Sequence, residues 1–252
     1  MPEPILIDLH CHLLPGIDDG SPDEETTLAL MRKEEADGVR AVMFTPHFYY
    51  ERMRLDSFVA NRKAAYATTV AACKREHVRV AGKCGAEVHF SPALPSLDLS
   101  KLCFAGTHYI LVELPTNVHP AGVEETLYGI MQQGYTPILA HVERFPYIAE
   151  NPTLLYNWVT MGCLAQVNTH AFLHNGNTSK LVEKYIKWNL VHLLCTDAHN
   201  MKTRRPNLQR AHAALTPQLS RYFMRNGEAV FFDKTVRVPD PIEPKKFLGM
   251  WR

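Results

Sequence analysis

Short apolar runs recur along the chain, each followed by a polar turn and then by a stretch of helical spacing. The runs at residues 5–12, 41–47, 78–89, 109–114, 136–141, 164–168 and 192–199 read as seven strands. Between them lie helices, and the first is predicted to begin at Ser21-Pro22-Asp23-Glu24. There Ser21 caps, Pro22 takes the first helical position and Glu24 completes a capping box. That helix runs through Leu28, Met31 and Ala36 and stops at Gly38. Further helices are predicted over 57–75, 123–133, from the Asn151-Pro152 start, and over 178–188 and 208–215. A last one over 217–226 is closed by Gly227, with a separate apolar run at 230–232. The third strand is interrupted by Gly82 and Gly85.

Strands that alternate with helices, and that are apolar on both faces, belong to a parallel sheet or barrel covered by crossover helices. At 252 residues the chain fits a single α/β barrel domain spanning 1–252, with a tail from about 235 packed on it or extending from it. Lys and Arg total 27 against 26 Asp and Glu, so no bulk charge draws the protein to nucleic acid or to a membrane surface. No apolar run approaches the length of a membrane span and no secretory leader is recognisable, so the expectation is a cytoplasmic protein without membrane insertion. The six cysteines form no close pair, which fits a reducing compartment. Oligomeric state is left open.

In barrels of this kind chemistry sits at the carboxyl ends of the strands. Six of the seven predicted strands end in a potential metal ligand: His10 and His12, His47, Glu87, Glu113, His141, and Asp197 with His199. Asp19, in the acidic turn after the first strand, brings the set to nine. One structural zinc needs four ligands, so nine point to two or three ions, and imidazole with carboxylate suits manganese, iron or zinc. Neighbouring divalent ions can activate a hydroxide and neutralise the oxygens of an in-line phosphoryl displacement, which makes phosphate-ester hydrolysis the leading chemistry. Arg144 and Arg204 follow ligand positions closely and match phosphate oxygens bidentately. Amide or ester hydrolysis with the same ions stays open on these residues.

Cys73 to Arg79 has the C-x5-R spacing of the cysteine phosphatases. That chemistry needs a glycine-bearing, phosphate-cradling loop that leads into a helix. Here the cysteine lies late in a helical pattern and leads into a strand, so Cys73 is read as an ordinary helix residue. Cys11 and Cys195 are read as small buried hydrophobes, and His89, His108, His119, His170 and His174 have no assigned role, although His119, His170 and His174 fall on rim loops.

The stretch Ile7-Asp8-Leu9-His10-Cys11-His12-Leu13-Leu14-Pro15-Gly16-Ile17-Asp18-Asp19-Gly20 closely resembles the opening motif of the bacterial PHP-class protein tyrosine phosphatases of capsular and exopolysaccharide clusters. Thr45-Pro46-His47, Gly85-Ala86-Glu87, Glu113, Ala140-His141-Val142-Glu143-Arg144 and Thr196-Asp197-Ala198-His199-Asn200 are similar to the later motifs, in order, over about residues 5 to 235. The resemblance implies a distorted (β/α)7 barrel with three divalent metal ions, manganese before iron or zinc. It implies that His10, His12, Glu87 and Asp197 hold one ion, that Glu87 bridges to a second completed by Glu113 and His141, and that Asp19, His47 and His199 hold a third. Arg144 and Arg204, or Arg205 beside it, would grip the phosphate, and the aromatic lid at 48–54 would suit a phosphotyrosine ring. The implied substrate is phosphotyrosine on a membrane-associated polysaccharide kinase, attacked by a metal-bound hydroxide without a phosphocysteine intermediate. The alternatives are a PHP phosphoesterase for a small phosphomonoester and a metal-stabilised, non-catalytic partner-binding protein.

Overall fold

The computed structural model describes residues 3–174, 176–247 and 250–251. The first strand, β1 (Leu6–Cys11), is followed by α1 (Glu24–Ala36), β2 (Val39–Phe44), the two-residue β3 (His47–Phe48) and the long α2 (Leu55–Arg75). Then come β4 (Ala81–Cys84), β5 (Glu87–His89), β6 (Tyr109–Glu113), α3 (Val123–Gln132), β7 (Thr136–Leu139), α4 (Pro146–Glu150) and α5 (Thr153–Met161). The chain continues through β8 (Leu164–Asn168), α6 (His170–Leu173), α7 (Asn177–Lys187), β9 (Leu193–Cys195), α8 (Leu208–Ala213) and α9 (Pro217–Phe231). A small antiparallel pair, β10 (Lys246–Phe247) and β11 (Met250–Trp251), lies in the tail.

The strands from β1 to β9 pair in parallel, in the orders β1-β2-β4 and β3-β5-β6-β7-β8-β9. The circle is closed beyond β9, where Cys11 bridges Ala198, the His12 amide donates to the Ala198 carbonyl at 2.8 Å and the Asp197 amide to the His10 carbonyl at 2.8 Å. Two of the seven predicted strands are each broken in two. The second is split at Thr45-Pro46, and the third at Gly85-Ala86. At the second break the Gly85 amide crosses to the Phe44 carbonyl at 2.8 Å, and a side chain at Gly85 would collide with Phe104, 2.4 Å from its Cβ position. These breaks divide the pairing into the two orders β1-β2-β4 and β3-β5-β6-β7-β8-β9, so the barrel is distorted.

Alternation along each strand separates two apolar layers. Ile110, Val112, Leu139, Ala165, Val167 and Leu194 pack outward against Leu127, Ile130, Leu155, Trp158, Val182 and Tyr185 of the helices. Tyr109, Leu111, Ile138, Ala140, Leu164, Leu193 and Cys195, one position out of phase, form a second cluster in the barrel interior. Continued upward on the same strands, that inner face carries Glu113, Gln166 and Asn168. Val230 and Phe231 of α9 join the inner cluster.

Several predicted boundaries move. The cap of α1 is Asp23, whose Oδ1 accepts from the Thr26 amide at 2.8 Å. Ser21 is turned inward instead, its hydroxyl 2.8 Å from Thr27 Oγ1, because its amide is tied to the His12 carbonyl at 3.0 Å. The last helix does not stop at Gly227 but continues through it to Phe231, taking in residues 230 and 231 of the predicted apolar run. Packing decides this: Asn226 donates to the His192 carbonyl at 2.9 Å, Gly227 faces the Ile7 carbonyl, and Val230 and Phe231 are buried. Burial of two large side chains exceeds the roughly 1 kcal/mol that glycine costs in a helix. The tail crosses the molecule with the Ile242 amide bound to the Trp188 carbonyl at 2.8 Å and the Trp251 indole to the Glu150 carbonyl at 2.9 Å. Among the described residues no helix is long and apolar enough to cross a membrane.

Candidate metal centre

The nine predicted ligands meet at the carboxyl end of the barrel. Glu87 sits in the middle. Its Oε2 lies 3.2 Å from His10 Nε2, 3.1 Å from His12 Nε2 and 3.1 Å from His47 Nδ1, while Oε1 is 2.9 Å from His141 Nε2. Glu113 Oε1 approaches the same His141 nitrogen at 3.4 Å. Asp197 Oδ1 is 3.5 Å from both His10 Nε2 and His12 Nε2. At the outer edge the exposed Asp19 stands 3.3 Å from His47 Nε2 and 3.4 Å from His199 Nε2.

These contacts resolve into three groups whose donor atoms lie within 4.8 Å of one another: His10, His12 and Asp197; His47, Glu87 and Glu113; His12, Asp19, His47 and His199. The partition matches the expected three divalent metal ions in number. It differs from the implied grouping: His12 and His47 each reach two groups, Glu87 falls with His47 and Glu113 and not with His10, His12 and Asp197, and His141 touches the second group through Glu87 and Glu113.

The donors fit cations. Acceptors outside the cluster fix two imidazoles: His10 Nδ1 is 3.1 Å from Gln166 Oε1, and His12 Nδ1 is 2.7 Å from Asp18 Oδ2. With the Nδ1 protons donated there, both Nε2 lone pairs converge, 3.2 Å apart, on the point where Glu87 Oε2 and Asp197 Oδ1 also aim. Four acceptors around one point are repulsive unless a proton or a metal cation lies among them. Glu87 Oε2, His47 Nδ1 and His199 Nε2 are moreover buried without an aligned hydrogen-bond partner.

The electrostatics agree. Burial resists charge on Glu87, but His10, His12 and His141 hold it well below the carboxylate range. Glu113 is likewise held down to about 2, against burial, by His141 and His89. Burial, with the nearby positive His12, lowers His199 to about 4, leaving a neutral imidazole suited to ligation. His12 and His141 are pushed up to about 10 because their facing carboxylates outweigh burial, which marks protons that a cation displaces.

Two ligands stand on unusual backbone. His141 (φ 31°) and Asp197 (φ 53°) adopt left-handed conformations just past the ends of β7 and β9. The sequence reading placed both within regular strands, but the strands end at Leu139 and Cys195 and the backbone turns the side chains into the site. The turn at Asp197 is held by Asp8, which accepts from the Thr196 amide at 3.0 Å and from the Thr196 hydroxyl.

Beside the ligands opens a cavity of about 550 Å³, lined by Glu143, Arg144, Asn168, Thr169, His170 and Arg204 among others. Both predicted arginines reach Asp197: Arg144 Nη1 is 3.3 Å from Oδ2 and Arg204 Nη2 is 2.5 Å from Oδ1. Arg205 lines the same cavity. Burial raises Glu143 to about 7. On the other rim Tyr49 of the lid packs against His47 and His89, with ring centroids 5.4 and 5.1 Å away, and carries Arg52 over its face.

Other candidates fall away from the centre. Cys73 is buried near the end of α2 with its thiol pushed up by burial, Cys11 turns its sulfur to the Met43 carbonyl at 3.4 Å, and all six cysteines are free. His108 pairs with Asp233, and His119 packs on Tyr147 and Trp158. His89 supports Glu113 at 3.2 Å, His170 lines the cavity, and His174 stacks on His170. The sequence reading missed Asp8, Asp18, Gln166 and Asn168. The signal for three of them was available: a polar side chain inside an apolar strand must have a buried partner.

Fold and site together define an α/β barrel with a polynuclear metal centre. The family of capsular polysaccharide synthesis proteins CpsB/CapC matches residues 6–235. The tyrosine-protein phosphatase YwqE of Bacillus subtilis is 30% identical over 257 aligned residues, which cover 98% of this chain and all of the relative. The tyrosine-protein phosphatase CpsB of Streptococcus pneumoniae is 24% identical over 92% of this chain and 98% of its own length. A crystal structure from work on YwqE and CpsB, described as unique metal-dependent tyrosine phosphatases, superposes with a TM-score of 0.88 at 28% identity, covering 96% of this chain and 100% of that one. A phosphotriesterase homology protein from Escherichia coli shares the fold at a TM-score of 0.56 and 12% identity, over 92% of this chain and 100% of its own. The chain belongs to the CpsB/CapC family, the PHP-class, metal-dependent tyrosine-protein phosphatases of capsule and exopolysaccharide synthesis clusters.

Proposed function

We propose that this protein hydrolyses phosphotyrosine on a membrane-associated tyrosine kinase that governs polysaccharide synthesis, acting in the cytoplasm as one domain over residues 1–252. The observation that carries the metal-dependent reading is the convergence of the His10 and His12 Nε2 atoms with Glu87 and Asp197 on one point. His10, His12, Glu87 and Asp197 would hold one ion, Glu113 and His141 with Glu87 a second, and Asp19, His47 and His199 a third. Manganese is the first choice of metal. Such ions polarise phosphate oxygens and lower the pKa of water.

The chain's own residues do the rest. Arg144 and Arg204, which meet at Asp197, grip the phosphate oxygens and orient phosphorus over the cluster. The cavity beside them takes the phosphotyrosyl group, and Tyr49 presents an aromatic face at the opposite rim. Burial of Cys11, Cys73 and Cys195 keeps their thiols protonated, which supports a route without phosphocysteine. Free cysteines throughout fit a reducing compartment.

The test is metal quantification on purified protein beside phosphatase assays before and after chelation, using phosphotyrosine peptide, phosphoserine peptide and small phosphomonoesters. Activity is expected to vanish on chelation, return with Mn²⁺ and favour phosphotyrosine. His141→Ala is expected to lose metal and turnover together, whereas Cys73→Ser keeps turnover. An active preparation with no bound cation, or a folded but dead cysteine variant, ends the metal mechanism; strong preference for a small phosphomonoester ends the protein-phosphatase reading.

A further inference from the structure

Strand β8 is the one stave of the barrel from which none of the nine ligands comes, yet its inner face carries two buried polar residues, Gln166 and Asn168. Gln166 has no exposed surface and uses both ends of its amide. Its Oε1 accepts from His10 Nδ1 at 3.1 Å and from the His141 backbone amide at 2.8 Å. Its Nε2 donates to Asn168 Oδ1 at 2.8 Å, and Asn168 Nδ2 donates in turn to Asp197 Oδ2 at 2.9 Å. The Asn168 backbone amide is held by Glu143 Oε1 at 2.9 Å.

One amide therefore reaches three strands. On β1 it sets the ring orientation of His10 and leaves Nε2 as the donor. After β7 it pins the left-handed backbone of His141, and through Asn168 it occupies Asp197 Oδ2 so that Oδ1 faces the imidazoles. We infer that Gln166 is a positioning residue for two of the three ions, those held by His10, His12, Glu87, Asp197, Glu113 and His141, and that it does not serve the third. This rests on the ligand assignment proposed above. The Asp19, His47 and His199 group touches neither Gln166 nor Asn168: His199 Nδ1 is fixed instead by the Asp197 carbonyl at 3.0 Å.

Hydrogen bonds behind a ligating histidine fix its tautomer and raise its basicity, and their loss typically costs about 10–100-fold in metal affinity. The experiment is equilibrium dialysis of the full chain against graded free Mn²⁺, with bound manganese counted, on the parent and on Gln166→Leu, Gln166→Glu and Asn168→Ala. The parent is expected to fill three sites. Gln166→Leu should need about 10–100 times more free Mn²⁺ for two of them and fill the third normally. Gln166→Glu still accepts from His10 and from the His141 amide but cannot donate to Asn168 Oδ1, so it should recover only the part of the loss that runs through those two contacts; Asn168→Ala should show a smaller loss. Melting of the chelated proteins reports on folding separately and should differ by only a few degrees.

Unchanged binding in Gln166→Leu overturns the inference, as does a Gln166→Glu variant that binds no better than Gln166→Leu. Equal weakening of all three sites with a matching fall in the metal-free melting temperature assigns Gln166 to fold support instead. A parent that fills fewer than three sites fails earlier, and it is the ligand assignment that falls.

Discussion

Asp18 Oδ2 lies 2.7 Å from His12 Nδ1, whereas its neighbour Asp19 points outward to His47 and His199. The two adjacent carboxylates thus serve one centre from different sides. Asp18 also accepts from the Gly20 amide at 3.0 Å and the His47 amide at 3.1 Å, so it binds the loop to the ligands. These contacts, against burial, hold its carboxyl down to about 2. Asp18→Ala is expected to weaken metal binding by about 10–100-fold. Direct metal counting after gel filtration checks this; full retention of metal would show the contact to be dispensable.

Gly20 allows that loop to close. A Cβ there would stand 2.1 Å from the His12 carbonyl oxygen and 2.5 Å from the His12 Cβ, closer than real atoms approach. Gly20→Ala should therefore displace the Asp18–Asp19 turn and abolish most activity. The fold should persist, because the barrel core lies elsewhere. Circular dichroism beside a turnover assay separates the two effects, and a fully active alanine variant would refute the steric account.

Arg144 and Arg204 bracket Asp197 from the cavity side. Loss of a charge-assisted contact to phosphate typically costs about 1.5–3 kcal/mol, or about 10–100-fold. Arg144→Ala and Arg204→Ala should each lower kcat/KM by that order with metal content kept. Loss of metal in Arg144→Ala would instead make this arginine a support for Asp197.

His212 is buried, with Nδ1 2.9 Å from Ser220 Oγ, and burial lowers its pKa from 6.5 to about 4. Between those values the unfolded chain holds a proton that the folded chain refuses. Stability from this residue is thus complete above about pH 6.5 and declines as pH falls towards 4. In metal-stripped protein, His212→Gln should flatten the dependence of unfolding free energy on pH by up to about 1.4 kcal/mol per pH unit. Parallel parent and variant curves in urea titrations would dismiss the role.

Gly227 lies inside α9 on helical backbone, and an added Cβ would rest 3.8 Å from the Ile7 carbonyl, an ordinary contact. Gly227→Ala should stabilise the protein by about 0.5–1 kcal/mol through lower chain entropy in the unfolded state. The melting temperature should rise by about 1–4 °C. A fall would mean that the helix cannot keep its seat on β1.

The amino-acid sequence by itself determined the parallel α/β class, the positions of the strands and the nine candidate ligands. Local chemistry suffices for these: apolar runs are the length of buried strands, and His10, His12 and Glu113 stand at strand termini whatever the neighbours do. What only the tertiary structure decided was everything that depends on two distant segments at once. Strand breaks at Pro46 and Gly85, the left-handed turns at His141 and Asp197, and helix α9 running through Gly227 are set by packing across the barrel. The same holds for Asp8, Asp18, Gln166 and Asn168. A polar residue in an apolar strand announces that it has a partner, but a sequence has no distances, and its partner is known only once 156 residues of chain have brought Gln166 back to His10.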